Sequence, residues 1–220
     1  MIRERLEEVH QRLAAAARRG GRPPEEITLV AVSKIKSASD ILAAYDAGQR
    51  HFGESYVQEF EAKSRQLPDL PEAVFHMIGK LQSNKTKPAS ALFDVIQTVH
   101  GIKLARRLND AGKPLDVFLE VKLGDEATKS GLSEDELPAV KEFVESCANL
   151  KLRGLMGMPP WSEDPEQARP HFRRLRQLGE RHALAELSMG MSHDLEVAIE
   201  EGATLVRVGT AIFGKRIRPQ

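Results

Sequence analysis

Lys34 closes the run Leu-Val-Ala-Val-Ser-Lys at residues 29–34, an apolar strand signal that ends in an amine with no turn residue between them. A lysine held where a buried strand emerges is partly desolvated, which lowers its pKa and frees the amine to attack a carbonyl carbon. Arg207 interrupts Thr-Leu-Val-Arg-Val-Gly, residues 204–209, a run that reads as a strand buried on both faces. A guanidinium there keeps its charge and needs a partner. Two partners fit: the carboxylate of Glu120, in Val-Phe-Leu-Glu-Val, or a ligand at the open end of the sheet. His76, within Val-Phe-His-Met-Ile-Gly, reads either as a ligand contact or as a hydrogen-bonded core histidine.

The elements that must hold these side chains alternate along the whole sequence. Strand signals fall near 27–33, 50–53, 74–79, 93–98, 115–122, 151–157, 185–189 and 204–208. Helical patterns fall near 38–48, 55–66, 83–91, 101–111, 133–147, 164–182 and 193–201, with one more at 3–19 before the first strand. A hydroxyl followed three residues later by an acid or amide marks helix starts at Ser37, Ser55 and Ser133, and Asp164-Pro165 marks another. Gly48, Gly112 and Gly202 stand where helices should stop. Eight strands, nearly all followed by a helix, imply a parallel sheet with right-handed crossovers. The spacing predicts one α/β domain over 1–220, a closed (β/α)8 TIM barrel with an extra N-terminal helix. An open doubly wound sheet is the alternative; no Gly-x-Gly-x-x-Gly follows the first strand to favour it.

Composition narrows the function classes. Hydrophobic residues make up 41% and charged residues 29% of the 220, so a packed core is expected. Lys+Arg and Asp+Glu both number 32, which gives no global pull towards nucleic acid. No apolar run is long enough to span a bilayer. Cys147, the single cysteine, is expected to pack in a helix, and with no secretory signal the sequence reads as cytoplasmic. The histidines outside the third strand, at 10, 51, 100, 171, 182 and 193, show no metal-ligand spacing.

In a barrel of this kind chemistry sits at the C-terminal strand ends. Two segments there can bind an anion: Leu-Ser-Met-Gly-Met-Ser-His-Asp, 187–194, after the seventh strand, and Val-Arg-Val-Gly-Thr, 206–210, after the eighth. Ser192 is a good N-cap, so the backbone of Gly190, Met191 and Ser192 is expected to open onto a helix N-terminus, and Gly209-Thr210 begins a second turn. Asp194 and Glu196 oppose an anion unless they point away. An amine for a carbonyl, a phosphate cradle and a buried arginine together describe a pyridoxal 5′-phosphate (PLP) site. An arginine donating to the pyridine nitrogen keeps that nitrogen unprotonated and weakens the ring as an electron sink.

Seven segments in order now carry a resemblance. Val-Ala-Val-Ser-Lys34, His-Phe-Gly-Glu-Ser-Tyr-Val-Gln-Glu (51–59) and His-Met-Ile-Gly-Lys-Leu-Gln-Ser-Asn-Lys (76–85) come first. Thr-Lys-Ser-Gly (128–131), Arg-Gly-Leu-Met-Gly-Met-Pro (153–159), residues 187–194 and Val-Arg-Val-Gly-Thr-Ala-Ile-Phe-Gly (206–214) follow. The chain resembles the pyridoxal phosphate homeostasis proteins, whose fold is related to the barrel domain of alanine racemase. The resemblance implies a PLP-binding protein of intracellular PLP homeostasis, holding PLP as a reversible aldimine on Lys34 without catalysis. It places Ser55, His76, Ser188, Gly190, Met191, Ser192, Arg207, Gly209 and Thr210 around the cofactor. It implies a monomer without the racemase C-terminal β domain, with PLP-dependent apo-enzymes as partners and no nucleic acid, membrane or metal.

Three residues depart from the family pattern: Ser55 and Lys122 stand where asparagine is usual, and Ser37 where proline is common. Lys36 shares strand parity with Lys34 if the chain stays extended, which would put both amines in the mouth; a solvated loop lysine is the other reading. The same two readings, relay amine or loop lysine, apply to Lys129. The competing function is a PLP-dependent enzyme of racemase type. That needs a base on the opposite face, and Tyr45 and Tyr56, the two tyrosines, fall on early helical segments. A Schiff-base lyase of aldolase type would use Lys34 but leaves Arg207 unexplained.

Overall fold

The computed structural model describes residues 1–124 and 130–214. Eight parallel strands close into a barrel in the order β1 to β8: Thr28–Val32, His51–Glu54, Val74–Met77, Val95–Val99, Leu115–Lys122, Leu150–Met158, Glu186–Met191 and Leu205–Val208. Closure is made by β1 against β8, with Ala31 opposite Val208. The expected α/β barrel is the fold observed, and each expected strand has its counterpart. Lys129 and part of the 128–131 motif lie outside the described residues.

The helices are α1 (Ile2–Arg19), α2 (Ala38–Asp46), α3 (Val57–Ser64), α4 (Thr86–Leu92), α5 (Ile102–Asn109), α6 (Leu137–Glu145), α7 (Arg169–Arg181), α8 (Leu195–Glu200) and α9 (Thr210–Phe213). α1 is the extra N-terminal helix and packs against α2, α8 and α9. Its Leu6, Val9, Leu13 and Ala16–Ala17 recur at helical spacing on the buried face. Gly48, Gly112 and Gly202 follow helix ends with φ of 101°, 76° and 104°, a conformation that excludes most side chains. Among the described residues no helix is long and apolar enough to cross a membrane.

Capping chemistry is where the sequence reading needs correction. Ser37 forms the full capping box with Asp40. Ser55 does not cap α3, which starts two residues later after Tyr56. Ser133 and Glu136 make their reciprocal bonds, but on a turn that precedes α6. Asp164 caps a short 3-10 turn, Pro165–Ala168, and α7 follows it. Residues 83–85 likewise form a 3-10 turn ahead of α4.

Two apolar regions hold the barrel. A large one lies between strands and helices, with Ile41, Phe52, Phe60, Phe93, Leu119, Phe172 and Leu175 at its centre. A small plug of Val30, Val95, Phe118, Met156 and Leu205 fills part of the barrel interior, with Val74 against it. Alternation along each strand puts the next inward residues beyond this plug. Gln97, Glu120 and Arg207 stand there, with His76 following Val74, while Val32 and Met158 keep β1 and β6 apolar.

Candidate functional site

Lys34 does not continue the strand. Ser33 to Lys36 form a tight turn, closed by the Lys36 N–H donating to the Ser33 carbonyl at 3.0 Å, with Ile35 at φ 60°. A β-branched residue there is strained by about 1–3 kcal/mol, so its surroundings must enforce it. They do so through Lys63 and Glu59 of α3. The buried Lys63 Nζ donates to the Ser33 carbonyl (2.9 Å), to Glu54 Oε1 (2.5 Å) and to Glu59 Oε1 (2.8 Å), while Ile35 N donates to Glu59 Oε1 (2.6 Å). Ser33 Oγ adds a bond to Glu54 Oε1 at 2.8 Å. Burial raises the Glu54 pKa, and Lys63 opposes that shift. A charged clamp thus grips the backbone on both sides of Lys34.

The same turn overturns the strand parity expected for Lys36. Its Nζ donates to the carbonyls of Phe213 and Gly214, at 2.9 and 3.3 Å, beyond β8. There it ties the first loop to the last helix.

Lys34 lines a cavity of about 630 Å³ with Ser55, Tyr56, Lys80, Gln82, Lys85 and Glu120 among its walls. Gly79 makes this wall possible, because a Cβ there would collide with the Ser55 carbonyl. A second cavity of about 340 Å³ shares Lys80, Glu120, Ser130 and Met158 with the first and adds Lys122, Trp161 and Met191. Glu120 stands where the two meet. Its Oε1 accepts from Ser130 Oγ at 3.0 Å, its Oε2 is buried without a partner, and burial raises its pKa.

The loops after β7 and β8 are brought together as expected, by different bonds. Ser192 is not the N-cap of α8; Asp194 holds that position, and Asp194 Oδ1 accepts from Met191 N at 2.6 Å. Ser192 Oγ accepts instead from Gly209 N at 3.3 Å, which joins the two loops. Thr210 opens α9, whose first N–H groups have no partner inside the helix. Gly190 bends at φ 89° against Ala198. The two acids that threatened an anion are engaged elsewhere: Asp194 by Met191, and Glu196 by Arg12 of α1 at 2.7 and 3.0 Å.

Arg207 sits in the interior, 4% exposed. Its Nη1 donates to Ser188 Oγ at 2.6 Å and its Nη2 to the Gly157 carbonyl at 3.1 Å, and Glu120 acts on it only through space. Burial lowers its pKa to about 10, which leaves it a cation at neutral pH. His76 follows the core reading. Its ring nitrogens lie 3.0 Å from His51 Nδ1 and 2.9 Å from Gln97 Nε2, and burial lowers its pKa to about 3.

Sequence reasoning missed Gln97, Ser33 and the Lys63 clamp. Gln97 had a signal, a polar residue at the inward parity of Val-Ile-Gln-Thr-Val. Lys63 had none, since a lysine on an amphipathic helix ordinarily faces water.

Residues 5–217 match the family described as "Alanine racemase, N-terminal domain", and that is the class this barrel defines. Alanine racemase of Clostridium difficile shares the fold at TM-score 0.73 and 11% identity, over 96% of this chain and 56% of that one. Much nearer is the pyridoxal phosphate homeostasis protein of Pseudomonas aeruginosa, 45% identical over 98% of this chain and 96% of its own length. The protein of that name from Escherichia coli is 44% identical, over 98% and 97%. The structure of PipY of Synechococcus elongatus with PLP bound superposes at TM-score 0.83 and 37% identity, over 97% and 100%. The chain belongs to the pyridoxal phosphate homeostasis protein family.

Proposed function

We propose that this protein binds PLP through a reversible covalent bond to Lys34 Nζ and holds it without turning over an amino acid. The observation that carries the reading is the clamped turn, which holds the backbone on both sides of Lys34, a lysine that lines a cavity at the C-terminal end of the barrel. The residues present fit the group. Ser192, Gly209 and Thr210 offer hydroxyls and backbone N–H groups to a phosphate. Arg207 offers guanidinium donors from the barrel interior to a ring nitrogen, with Ser188 holding it. Ser55 forms part of the wall beside Lys34, Met191 lines the adjoining cavity, and Gly190 bends the loop that carries it. His76 supports the floor through Gln97. When bound, PLP supplies an aldehyde carbon and an electron-withdrawing ring.

The holding role follows from what the chain places around the amine. Arginine beside the ring nitrogen favours restraint, and Tyr45 Oη is committed to the Pro71 carbonyl at 2.8 Å. Tyr56 does line the Lys34 cavity, half-exposed, so the racemase-like reading has one residue to test. The protein acts in the cytoplasm as a monomer and passes PLP to apo-enzymes. In the test, PLP is titrated into the wild type and Lys34→Ala while the visible absorption is followed. The wild type turns yellow and the variant does not; a normal band in Lys34→Ala overturns the assignment. Turnover of an amino acid at about 1 per second or faster, lost in Tyr56→Phe, would replace the holding role with the enzymatic one.

A further inference from the structure

Inside the barrel a continuous hydrogen-bond chain joins five strands. Arg207 Nη1 donates to Ser188 Oγ at 2.6 Å, and Ser188 Oγ donates to Gln97 Oε1 at 2.6 Å. Gln97 Nε2 lies 2.9 Å from His76 Nδ1, and His76 Nε2 lies 3.0 Å from His51 Nδ1. Ser188, Gln97, His76 and Arg207 are all buried, and His51, near the N-terminal end of the barrel, is partly exposed.

One arrangement of protons satisfies this chain. A guanidinium has donors only, so Ser188 must accept from Arg207 and spend its own hydrogen on the Gln97 oxygen. The Gln97 amide nitrogen is then turned to His76, and it too can only donate. His76 Nδ1 must therefore be bare, its proton lies on Nε2, and that proton goes to a bare His51 Nδ1. Every donor points from Arg207 towards His51. Turning the Gln97 amide round would face Ser188 Oγ with two donors and take away the acceptor of its hydrogen.

We propose that Gln97, His76 and His51 are positioning residues for Arg207. By fixing Ser188 as the acceptor for Nη1, alongside the Gly157 carbonyl that accepts from Nη2 at 3.1 Å, they hold the guanidinium in one orientation, so its remaining donors are already aimed before a ligand arrives. Four hydrogen bonds separate His51 from the guanidinium it helps to place. The consequence for PLP affinity rests on the proposed function; the chain itself does not.

Histidine ring and arginine side-chain NMR of the ligand-free protein tests the proposal, followed by PLP titration. In the wild type both His76 and His51 are expected as Nε2–H tautomers, with the Arg207 Nη protons resolved because rotation of the guanidinium is hindered. Gln97→Met should merge the Arg207 signals and weaken PLP binding about tenfold, the loss of roughly one hydrogen bond to a charged group. Gln97→Glu supplies acceptors at both ends. It should restore the Arg207 signals and move the His76 proton to Nδ1, a change that general loss of packing would not produce. An Nδ1–H tautomer at either histidine in the wild type overturns the proposal, and that result needs no variant to fold. So does a folded Gln97→Met with unchanged Arg207 signals. A wild type that shows both Nε2–H tautomers but no visible band with PLP would refute the cofactor reading and leave the positioning chain standing.

Discussion

The barrel interior is built in two ways. Val30, Val95, Phe118, Met156 and Leu205 form a plug in which each side chain is held by many weak contacts. Beside it, Arg207, Ser188, Gln97 and His76 are held by a few directed bonds, each hydrogen having one destination. Damage to the plug is graded, because neighbours relax around a smaller or reshaped side chain. The chain has no such latitude, since a lost partner strands the group on either side of it. Under the proposed function Arg207 presents a buried cation to PLP, and the rigidity of the chain serves that aim while the plug supplies stability.

Substitutions can separate these two contributions. Phe118→Ala should have the largest effect on stability, about 3–5 kcal/mol by denaturant unfolding, while the folded fraction keeps the wild-type PLP spectrum. Acid is expected to come next. His76 titrates at about 3 in the folded protein against 6.5 for a free histidine, so unfolding takes up a proton between those values. Stability conferred by the neutral ring is complete above pH 6.5 and drains away as pH falls towards 3. Burial raises the pKa of Glu54, Glu120 and Asp194, which acts in the opposite sense. The His76 share therefore appears as a difference: His76→Gln should show the shallower decline in chemical-denaturation midpoint across this range. Ser188→Ala should cost about 1–3 kcal/mol by stranding Arg207 Nη1 and the Gln97 oxygen, and unlike Phe118→Ala it should shift the spectrum of bound PLP. Smallest is Met156→Leu, below about 1.5 kcal/mol, with PLP binding unchanged. A spectral change in the plug variants, or none in Ser188→Ala, would erase the distinction between the two regions.

How far the sequence discloses this molecule varies with the kind of information. The eight strands and their order are legible because alternation and helical spacing are local, and Lys34, Arg207 and the two glycine-bearing loops stand out against them. Positions set by register across strands are not local. Gln97 meets Ser188 from a strand three places away in the barrel, and nothing in either segment names the other. The extended reading of Lys36 fails, and nothing local announces it, because the turn after Ser33 carries no glycine or proline. Ile35 is driven into it by Glu59 and Lys63, from a different element. Ser55 looked like a cap because the sequence pattern permits one; its place is in the cavity wall instead, where Gly79 packs against its backbone.

Borohydride reduction of the PLP-treated protein, followed by peptide mass mapping, tests the central claim most directly. Lys34, Lys80 and Lys85 all line the same cavity, so the chemistry has a choice of amines. The clamp on the Lys34 turn predicts that the pyridoxyl group is found on Lys34 alone and that Lys34→Ala carries none. Label on Lys80 or Lys85 in the wild type, with Lys34 unmodified, would contradict the account.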